Sequence, residues 1–151
     1  MALLSSVAIF FIILDRYLKV LAKLVWVNNP IKFTSWFNLN YLPNSSLAFS
    51  LPANQAFILT VIILLLLILT FVYLKKLHQQ NLEAIWWLII ILGAISNLVD
   101  RLLYGAVIDY LEIVWFTAFN LADCLITLGV IGLLLKEFKS STNKVLNPND
   151  Q

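Results

Sequence analysis

An uncharged run of 22 residues, Ala53 to Leu74, constrains the fold of this chain more than any other feature. A helix needs roughly 20 apolar residues to cross the hydrocarbon core of a bilayer, so the run has the length of a membrane span. The whole chain of 151 residues is 62% hydrophobic, whereas soluble domains are roughly 45–50% apolar. The sequence therefore predicts an integral membrane protein, and Lys75 with Lys76 marks the end of its clearest span.

Three further apolar segments complete the predicted bundle. The spans are expected at about residues 3–25, 53–74, 84–103 and 118–135, in a single integral membrane domain that comprises residues 1–151. Asp15 and Lys19 share one face of the first span, so the acid is expected to turn inward and the lysine to extend towards the interface. Gly93 on the third span and Gly129 with Gly132 on the fourth should allow these two helices to pack closely.

The segment between the first two spans, residues 26–52, mixes aromatic side chains with Asn, Ser and Pro. From Lys32 to Tyr41, β-branched and aromatic residues partly alternate with polar ones, which predicts one or two short strands. Residues 136–151 form a polar C-terminal tail that is expected to be disordered. The predicted fold is an all-α membrane protein: a four-transmembrane-helix bundle that carries a small extracytoplasmic β-sheet as a cradle.

Lysines indicate the orientation of this bundle. Four spans put both termini on one side of the membrane, and lysines near the ends of spans mark the cytoplasmic side. These lysines are Lys75, Lys76, Lys136 and Lys139. The loop at residues 26–52 and the connection at residues 104–117 are then expected to face outward, with Asp109 and Asp123 near the outer surface. Arg16, Lys19 and Lys23 break the rule, which predicts that acids, headgroups or substrate hold them.

Ionisable groups inside apolar sequence identify residues 93–127 as a candidate active site. Four of them lie in or beside predicted spans, where such a group costs roughly 2.5–3.5 kcal/mol at a helix centre: Asp100, Arg101, Asp109 and Asp123. Asn97 precedes Asp100 and Arg101 by about one helical turn, so these three are expected to form one polar patch. Asp100 and Arg101 could also form an interhelical clasp without chemistry, and that alternative stays open.

Two acids near the same membrane depth suggest a specific reaction. Held close together in poorly hydrated surroundings, Asp109 and Asp123 cannot both ionise, and they would titrate as a coupled pair. Such a pair can activate water against a peptide carbonyl without a metal or a covalent intermediate. His78 and Cys124 are each the only residue of their type and lack the neighbours of a metal site or a nucleophile, so no metal and no cofactor is predicted. The net charge of +2 is too small to indicate a nucleic-acid partner.

Five short motifs along the chain are specific when they are taken together. They are Asp15 with Lys19 in the first span, Asn44-Ser-Ser-Leu-Ala-Phe49, Ser96-Asn-Leu-Val-Asp-Arg101, Gly105-Ala-Val-Ile-Asp-Tyr110 and Phe119-Asn-Leu-Ala-Asp123. The last four are similar to the N-x-G-A-A-F, G-N-x-x-D-R, G-x-V-x-D-F and F-N-x-A-D boxes of signal peptidase II, the bacterial lipoprotein signal peptidase family. The resemblance implies that Asp109 and Asp123 are the catalytic dyad. It implies supporting or substrate-binding roles for Asn44, Asn97, Arg101, Asn120, Asp15 and Lys19, and a structural role for Asp100.

The chain departs from this family pattern at several positions. Arg16 and Leu18 stand where the pattern has Gln and Thr, Ser96 where it has Gly, and Ser46 and Leu47 where it has Gly and Ala. The spacing of the two acids, 123 − 109 = 14 residues, is also shorter than is usual in the family. These departures bear on loop geometry and substrate preference more than on the chemistry.

The resemblance implies an intramembrane aspartic endopeptidase that cuts diacylglyceryl-modified prolipoproteins before the lipidated cysteine. Its expected partners are these substrates and membrane lipids, with no nucleic acid, and it is expected to act as a monomer. The implied location is the bacterial cytoplasmic (inner) membrane, multi-pass, with both termini cytoplasmic and the active site near the outer face. Two alternatives are a non-enzymatic membrane scaffold and a small proton-coupled transporter, neither of which predicts peptide cleavage.

Overall fold

Four long helices and a small sheet make up the part of the chain that the structure describes. This computed structural model describes residues 2–45 and 54–146. The helices are α1 (Ala2–Leu21), α2 (Gln55–His78), α3 (Ala84–Tyr104) and α4 (Leu121–Leu146), and α1 continues as a π-helical turn, Ala22–Trp26. The strands are β1 (Ile31–Lys32), β2 (Phe37–Asn44), β3 (Val107–Ile113) and β4 (Thr117–Phe119). The expected small sheet is therefore confirmed beside a mostly helical fold.

By length and composition, two of the described helices could cross a membrane. They are α2, whose most apolar 18 residues have a mean hydropathy of 3.1, and α3, for which this value is 1.6. The helices α1 and α4 are also long, but α1 contains Asp15, Arg16 and Lys19, and α4 carries Asp123 in its first turn. The number of four spans therefore stays a prediction.

The strands form one antiparallel sheet in the order β1-β2-β3-β4. Strands β1 and β2 overlap residues 32–41, where the sequence predicts one or two short strands. The prediction lacks β3 and β4, because it treats residues 104–117 as a plain connection between helices. The run of β-branched, aromatic and apolar residues in β3 is the signal that indicates a strand there. Asp109 thus lies on a strand, opposite Leu42 of β2.

Helix α4 differs from the predicted fourth span at both ends. Thr117–Phe119 pairs with β3, so the helix begins at Leu121 and not near residue 118. At its other end the helix continues to Leu146, through most of the segment that was expected to be a disordered tail. A nucleated helix adds residues at little cost, and residues 136–146 contain no proline or glycine that would end it.

Close contact between α3 and α4 brings their polar residues side by side. A Cβ atom on Gly93 would lie 2.6 Å from the carbonyl oxygen of Ala122, so a larger residue could not be accommodated at this distance. The predicted close approach at Gly93 is confirmed. Gly105 ends α3 in the left-handed conformation, with φ of 74°, and its N–H donates to the carbonyl of Arg101 at 3.0 Å. The chain then turns directly into β3, which carries Asp109.

A cluster of ion pairs joins helix ends on the side away from the sheet. Glu83, which precedes α3, pairs with Lys76 of α2 at 2.7 Å and with Lys136 of α4 at 2.9 Å. Hydrogen bonds from Lys76 and Lys136 lower the pKa of Glu83 and keep it ionised. Two of the lysines that the sequence predicts to share one side of the membrane therefore lie together, and the sheet lies at the opposite end of α3.

Candidate active site

Two acids come together where the sheet meets the first turn of α4. Asp109 lies on β3 and is buried, with 3% of its surface exposed. Asp123 is the third residue of α4 and is half-buried. The two carboxylates are close enough for the charge of Asp123 to affect the ionisation of Asp109. The structure thus brings together the two residues that the sequence predicts as a dyad.

Three asparagines hydrogen-bond all four carboxylate oxygens of this pair. Asn44 Nδ2 donates to Asp109 Oδ2 at 3.1 Å, and Asn120 Nδ2 donates to Asp109 Oδ1 at 2.8 Å. Asn97 Nδ2 donates to Asp123 Oδ1 at 2.8 Å, and the backbone N–H of Asn120 donates to Asp123 Oδ2 at 3.2 Å. Because these donors are neutral, they orient both acids without forming ion pairs with them.

Asn120 directly precedes α4 and contacts both acids. Its Oδ1 accepts from the backbone N–H of Asp123 at 2.9 Å, while Asp123 Oδ2 accepts from the backbone N–H of Asn120. This reciprocal pair is a capping box in which asparagine and aspartate take the places of the usual serine and glutamate. The spacing of three residues between Asn120 and Asp123 is therefore that of a helix N-terminus. The bonds that start α4 also orient Asp123.

Burial changes the acid strength of Asp109. Removal from water raises its pKa to about 6, and the neighbouring charge of Asp123 acts in the same direction. Hydrogen bonds from Asn44 and Asn120 favour the charged form and so limit the rise. A carboxyl group with this pKa can exchange a proton near neutral pH, which is what an acid or base catalyst requires.

Asp100 and Arg101 are adjacent on α3 but contact different parts of the protein. Asp100 is fully buried and forms ion pairs with Lys19 and Arg16, both on α1. These contacts join α1 to α3 through Asp100, and its structural role stays a prediction. Arg101 is 7% exposed, lies 3.5 Å from the backbone carbonyl of Ser45, and is within electrostatic range of both dyad acids. The predicted polar patch on α3 thus contacts both α1 and the two acids.

Lys19 is the central cation of a second polar cluster, which adjoins the dyad. Its side chain is fully buried, and Nζ lies 3.1 Å from Asp15 Oδ2 and 2.8 Å from Asp100 Oδ2. The same nitrogen donates to Asn97 Oδ1 at 2.9 Å. The prediction that Lys19 extends to the interface is wrong, because two acids and an amide use its three N–H donors. Since Asn97 also donates to Asp123, the cluster is connected to the dyad.

Arg16, Ser96 and Tyr110 complete this cluster, although no sequence pattern assigns them a role in the site. Arg16 pairs with Asp100, so acids hold two of the three cations that break the lysine rule, Arg16 and Lys19. Lys23, the third, lies over the ring of Tyr104. Ser96 Oγ donates to Asp15 Oδ2 at 2.6 Å, and the hydroxyl of Tyr110 donates to Asp15 Oδ1 at 3.0 Å. These partners are 81 to 95 residues apart in the chain, so spacing within one element cannot reveal them.

The single cysteine and the single histidine of the chain take no part in these contacts around the two acids. Cys124 is a half-buried free thiol next to Asp123, and His78 ends α2 at the other end of the bundle. Within residues 2–45 and 54–146, no three His, Cys, Asp or Glu side chains are grouped so that they could hold a metal. The absence of a metal and of a cofactor stays a prediction. Residues 46–49, which complete the motif that starts at Asn44, lie outside the described residues.

Comparison with protein families gives a match over most of the chain. A family model described as Signal peptidase (SPase) II matches residues 7–139 of the chain. The chain belongs to the signal peptidase II family. All five motifs on which the sequence resemblance rests lie inside the matched region. Membership of signal peptidase II makes the chain an aspartic peptidase and decides against the scaffold and transporter alternatives.

Relatives in signal peptidase II match most of the chain. The lipoprotein signal peptidase of Streptococcus agalactiae serotype Ia is 31% identical over 150 residues, which cover 93% of this chain and 95% of that protein. The lipoprotein signal peptidase of Caldicellulosiruptor bescii is 36% identical over 130 residues, which cover 83% of this chain and 85% of that protein.

Two solved structures, both described as bacterial membrane enzymes, have the same fold. One superposes with a TM-score of 0.84 at 25% identity and covers 95% of this chain and 92% of that chain. The other superposes with a TM-score of 0.76 at 22% identity and covers 92% of this chain and 94% of that chain. The fold of this signal peptidase II is thus the fold of known membrane enzymes.

Proposed function

We propose that this chain removes the signal peptide from diacylglyceryl-modified prolipoproteins by cleaving the peptide bond before the lipidated cysteine. The observation that carries the proposal is the pair of acids, Asp109 and Asp123, whose four oxygens are held by neutral donors. Relatives that match over most of their length bear the name lipoprotein signal peptidase, which indicates the substrate class.

The proposed reaction starts from a dyad that shares one proton. The ionised acid takes a proton from water, the water oxygen adds to the scissile carbonyl carbon, and the protonated acid gives its proton to the carbonyl oxygen. When the tetrahedral intermediate collapses, the C–N bond breaks and the nitrogen takes the proton that came from water. The other acid recovers its proton from a hydroxyl of the intermediate, so the dyad ends as it began. Asp109 is the proposed initial proton donor because it is the less exposed of the two acids and its pKa is raised to about 6.

All four helices are proposed to cross the bacterial cytoplasmic membrane, with both termini in the cytoplasm. Lys76 and Lys136 share one end of the bundle, and the positive-inside rule assigns that end to the cytoplasm. Asp109 and the sheet then lie near the outer face, where a secreted substrate presents its signal peptide. One chain supplies the dyad and the three asparagines around it, which supports a monomer as the active form.

The sheet is proposed to rest on lipid headgroups beside the site. Phe33 and Trp36, between β1 and β2, are each 59% exposed. Trp115 and Phe116, between β3 and β4, are 87% and 81% exposed. Aromatic side chains are favoured at the boundary between headgroups and acyl chains. Membrane lipids are therefore proposed as partners of these two connections.

The proposed substrate can be tested with purified protein in detergent. A diacylated prolipoprotein should be cut to a product that begins with the lipidated cysteine, as a mass shift equal to the signal peptide would report. The same prolipoprotein without the diacylglyceryl group is the matched control and should be cut much more slowly. Equal cleavage of both forms would contradict the lipid requirement, and cleavage at another bond would contradict the proposed site.

The pH dependence of kcat/KM should report the shared proton of the dyad. Because burial raises the pKa of Asp109 to about 6, its proton is present below this pH and is lost above it. Once both acids are ionised, neither can protonate the carbonyl oxygen, so kcat/KM should fall on the alkaline side of about pH 6 in the free enzyme. A profile that stays flat well above this pH would contradict the raised pKa.

Substitution of Asn44 tests the direction in which hydrogen bonding shifts the pKa of Asp109. The hydrogen bond from Asn44 lowers the pKa of Asp109, so Asn44→Ala should move the alkaline limb of the kcat/KM profile to higher pH. The matched control is Asn40→Ala on the same strand, because Asn40 donates to Glu112 at 3.4 Å and not to the dyad. A limb that moves to lower pH in Asn44→Ala would show that this bond does not favour the ionised carboxylate.

A further inference from the structure

The hydroxyl of Tyr110 joins three elements of the fold. Tyr110 is fully buried on β3, directly after Asp109. Its hydroxyl donates to Asp15 Oδ1 of α1 at 3.0 Å and accepts from the backbone N–H of Leu121, the first residue of α4, at 3.1 Å. Burial and the charge of Asp15 raise the pKa of Tyr110, so the hydroxyl keeps its proton and can act as a donor.

Asp15 extends the same connection to the next residue of α4. Its Oδ1 accepts from the backbone N–H of Ala122 at 3.2 Å, while its Oδ2 is held by Ser96 and Lys19. A carboxylate near a helix N-terminus interacts favourably with the unpaired N–H groups and with the helix dipole. Asp15 therefore caps α4 from another helix, and Tyr110 fixes the oxygen that does so.

Together these contacts satisfy the first N–H groups of α4. Leu121 donates to Tyr110, Ala122 donates to Asp15, and Asp123 donates to Asn120. The turn that carries Asp123 is therefore held from α1, from β3 and from its own cap residue. Tyr110 is the contact from β3, the strand that also carries Asp109.

We propose that Tyr110 is a positioning residue that sets the placement of Asp123 relative to Asp109. This inference rests on the proposed function of the two acids. Asp109 and Tyr110 are consecutive on β3, so they project to opposite faces of the strand. Asp109 places its carboxylate in the site, and Tyr110 binds the first turn of α4 on the opposite face of the strand. Loss of the hydroxyl would leave the strand intact but free the turn that presents the second acid.

Three residues of this network differ from the family pattern given above. That pattern has phenylalanine at the position of Tyr110, glycine at Ser96 and glutamine at Arg16. In this structure all three side chains contact the two buried acids of the cluster, Asp15 and Asp100. Departures at distant positions of the sequence thus meet in one network.

The test replaces the hydroxyl alone, with Tyr110→Phe, in the purified full-length enzyme. Because misplacement of a catalytic group by about 1 Å can cost roughly 10²-fold, we expect kcat to fall by about tenfold or more. KM for the diacylated prolipoprotein should stay unchanged, since Tyr110 is buried behind the site. Cys124, the only cysteine in the chain and the next residue after Asp123, supplies a second readout. Its reaction with a thiol reagent should be several-fold faster when the first turn of α4 is released.

Tyr17→Phe is the matched control, because Tyr17 is 61% exposed on α1, and it should change neither kcat nor the Cys124 rate. Ser96→Ala tests the network at a second point, because it removes the hydrogen bond from Ser96 to Asp15 Oδ2. It should lower kcat and raise the Cys124 rate, each by less than Tyr110→Phe does. Wild-type kcat in folded Tyr110→Phe, a change in KM alone, or an unchanged Cys124 rate in both variants would overturn the proposal. If the proposal on Tyr110 fails in one of these ways while Asp109→Asn is inactive, the proposed function still stands. If Asp109→Asn is active, the two-acid mechanism itself is overturned.

Discussion

Asp109→Asn and Asp123→Asn should each abolish detectable cleavage of a diacylated prolipoprotein, with turnover reduced by roughly 10²–10⁴-fold or more, the usual contribution of general acid–base catalysis. An amide keeps the size of the carboxyl group but can neither take a proton from water nor return one to the carbonyl oxygen. Each variant should remain folded, because the helix and strand that carry the acids are held by many other contacts. The measurement is turnover by mass spectrometry beside thermal unfolding in the same detergent.

The matched control for Asp109→Asn is Glu112→Gln on the same strand. Glu112 is half-buried and, like Asp109, accepts from two asparagines, Asn38 at 3.2 Å and Asn40 at 3.4 Å, yet it has no part in the dyad. The Glu112→Gln variant should cleave the prolipoprotein at the wild-type rate. Chelators should have no effect on the wild-type enzyme. Robust turnover by either dyad variant, or loss of wild-type activity with EDTA, would rule out the two-carboxylate mechanism.

The sequence singles out Asp109 and Asp123 because the membrane makes ionisable residues costly, and their role as the catalytic dyad stays a proposal. Asp109 and Asp123 stand out in an apolar chain, and long apolar runs place the helices near them. What the pattern does not predict is the local structure that holds each acid. Asp109 lies on β3, a strand within a short and partly polar segment that was predicted to be a plain connection. Asp123 lies in the capping box at the start of α4.

Burial of Lys19 shows why the remaining contacts could not be predicted. Helical spacing places Asp15 and Lys19 on one face, but it does not say whether that face meets lipid, headgroups or another acid. The answer depends on Asp100 and Asn97, which are about 80 residues away on α3. Tyr110 presents the same difficulty, because its partners lie on two other elements of the fold.

Lys19→Met should produce the largest loss of stability among single substitutions in this cluster. Lys19 and its partners Asp15 and Asp100 are each fully buried. Asp100 also pairs with Arg16, so the loss of Lys19 leaves Asp15 as the acid whose charge is no longer compensated. Removal of one partner from a buried ion pair typically costs about 3–5 kcal/mol, because the charge left behind is uncompensated. Methionine keeps the length and apolar stem of lysine, so the substitution tests the charge and not the volume. The measurement is the free energy of unfolding in a titration with a denaturing detergent.

Lys23→Met is the matched control, four residues further along the chain. Lys23 is exposed and lies 3.9 Å from the centroid of the Tyr104 ring, a contact worth about 0.5–1 kcal/mol at exposed sites. A loss in Lys19→Met no larger than in this control would contradict a role in charge compensation.

The double variant Lys19→Met with Asp100→Asn separates charge from packing. If the loss in Lys19→Met comes from uncompensated acids, removal of one acid charge should restore part of it. The amide introduced by Asp100→Asn would still offer an oxygen to the backbone N–H of Ile108, which donates to Asp100 at 3.2 Å in the native protein. The two substitutions should therefore cost less together than the sum of their separate costs, as a double-mutant cycle measures. Strictly additive losses would mean that Lys19 stabilises the cluster through its stem and its bond to Asn97, and not by balancing the two buried acids.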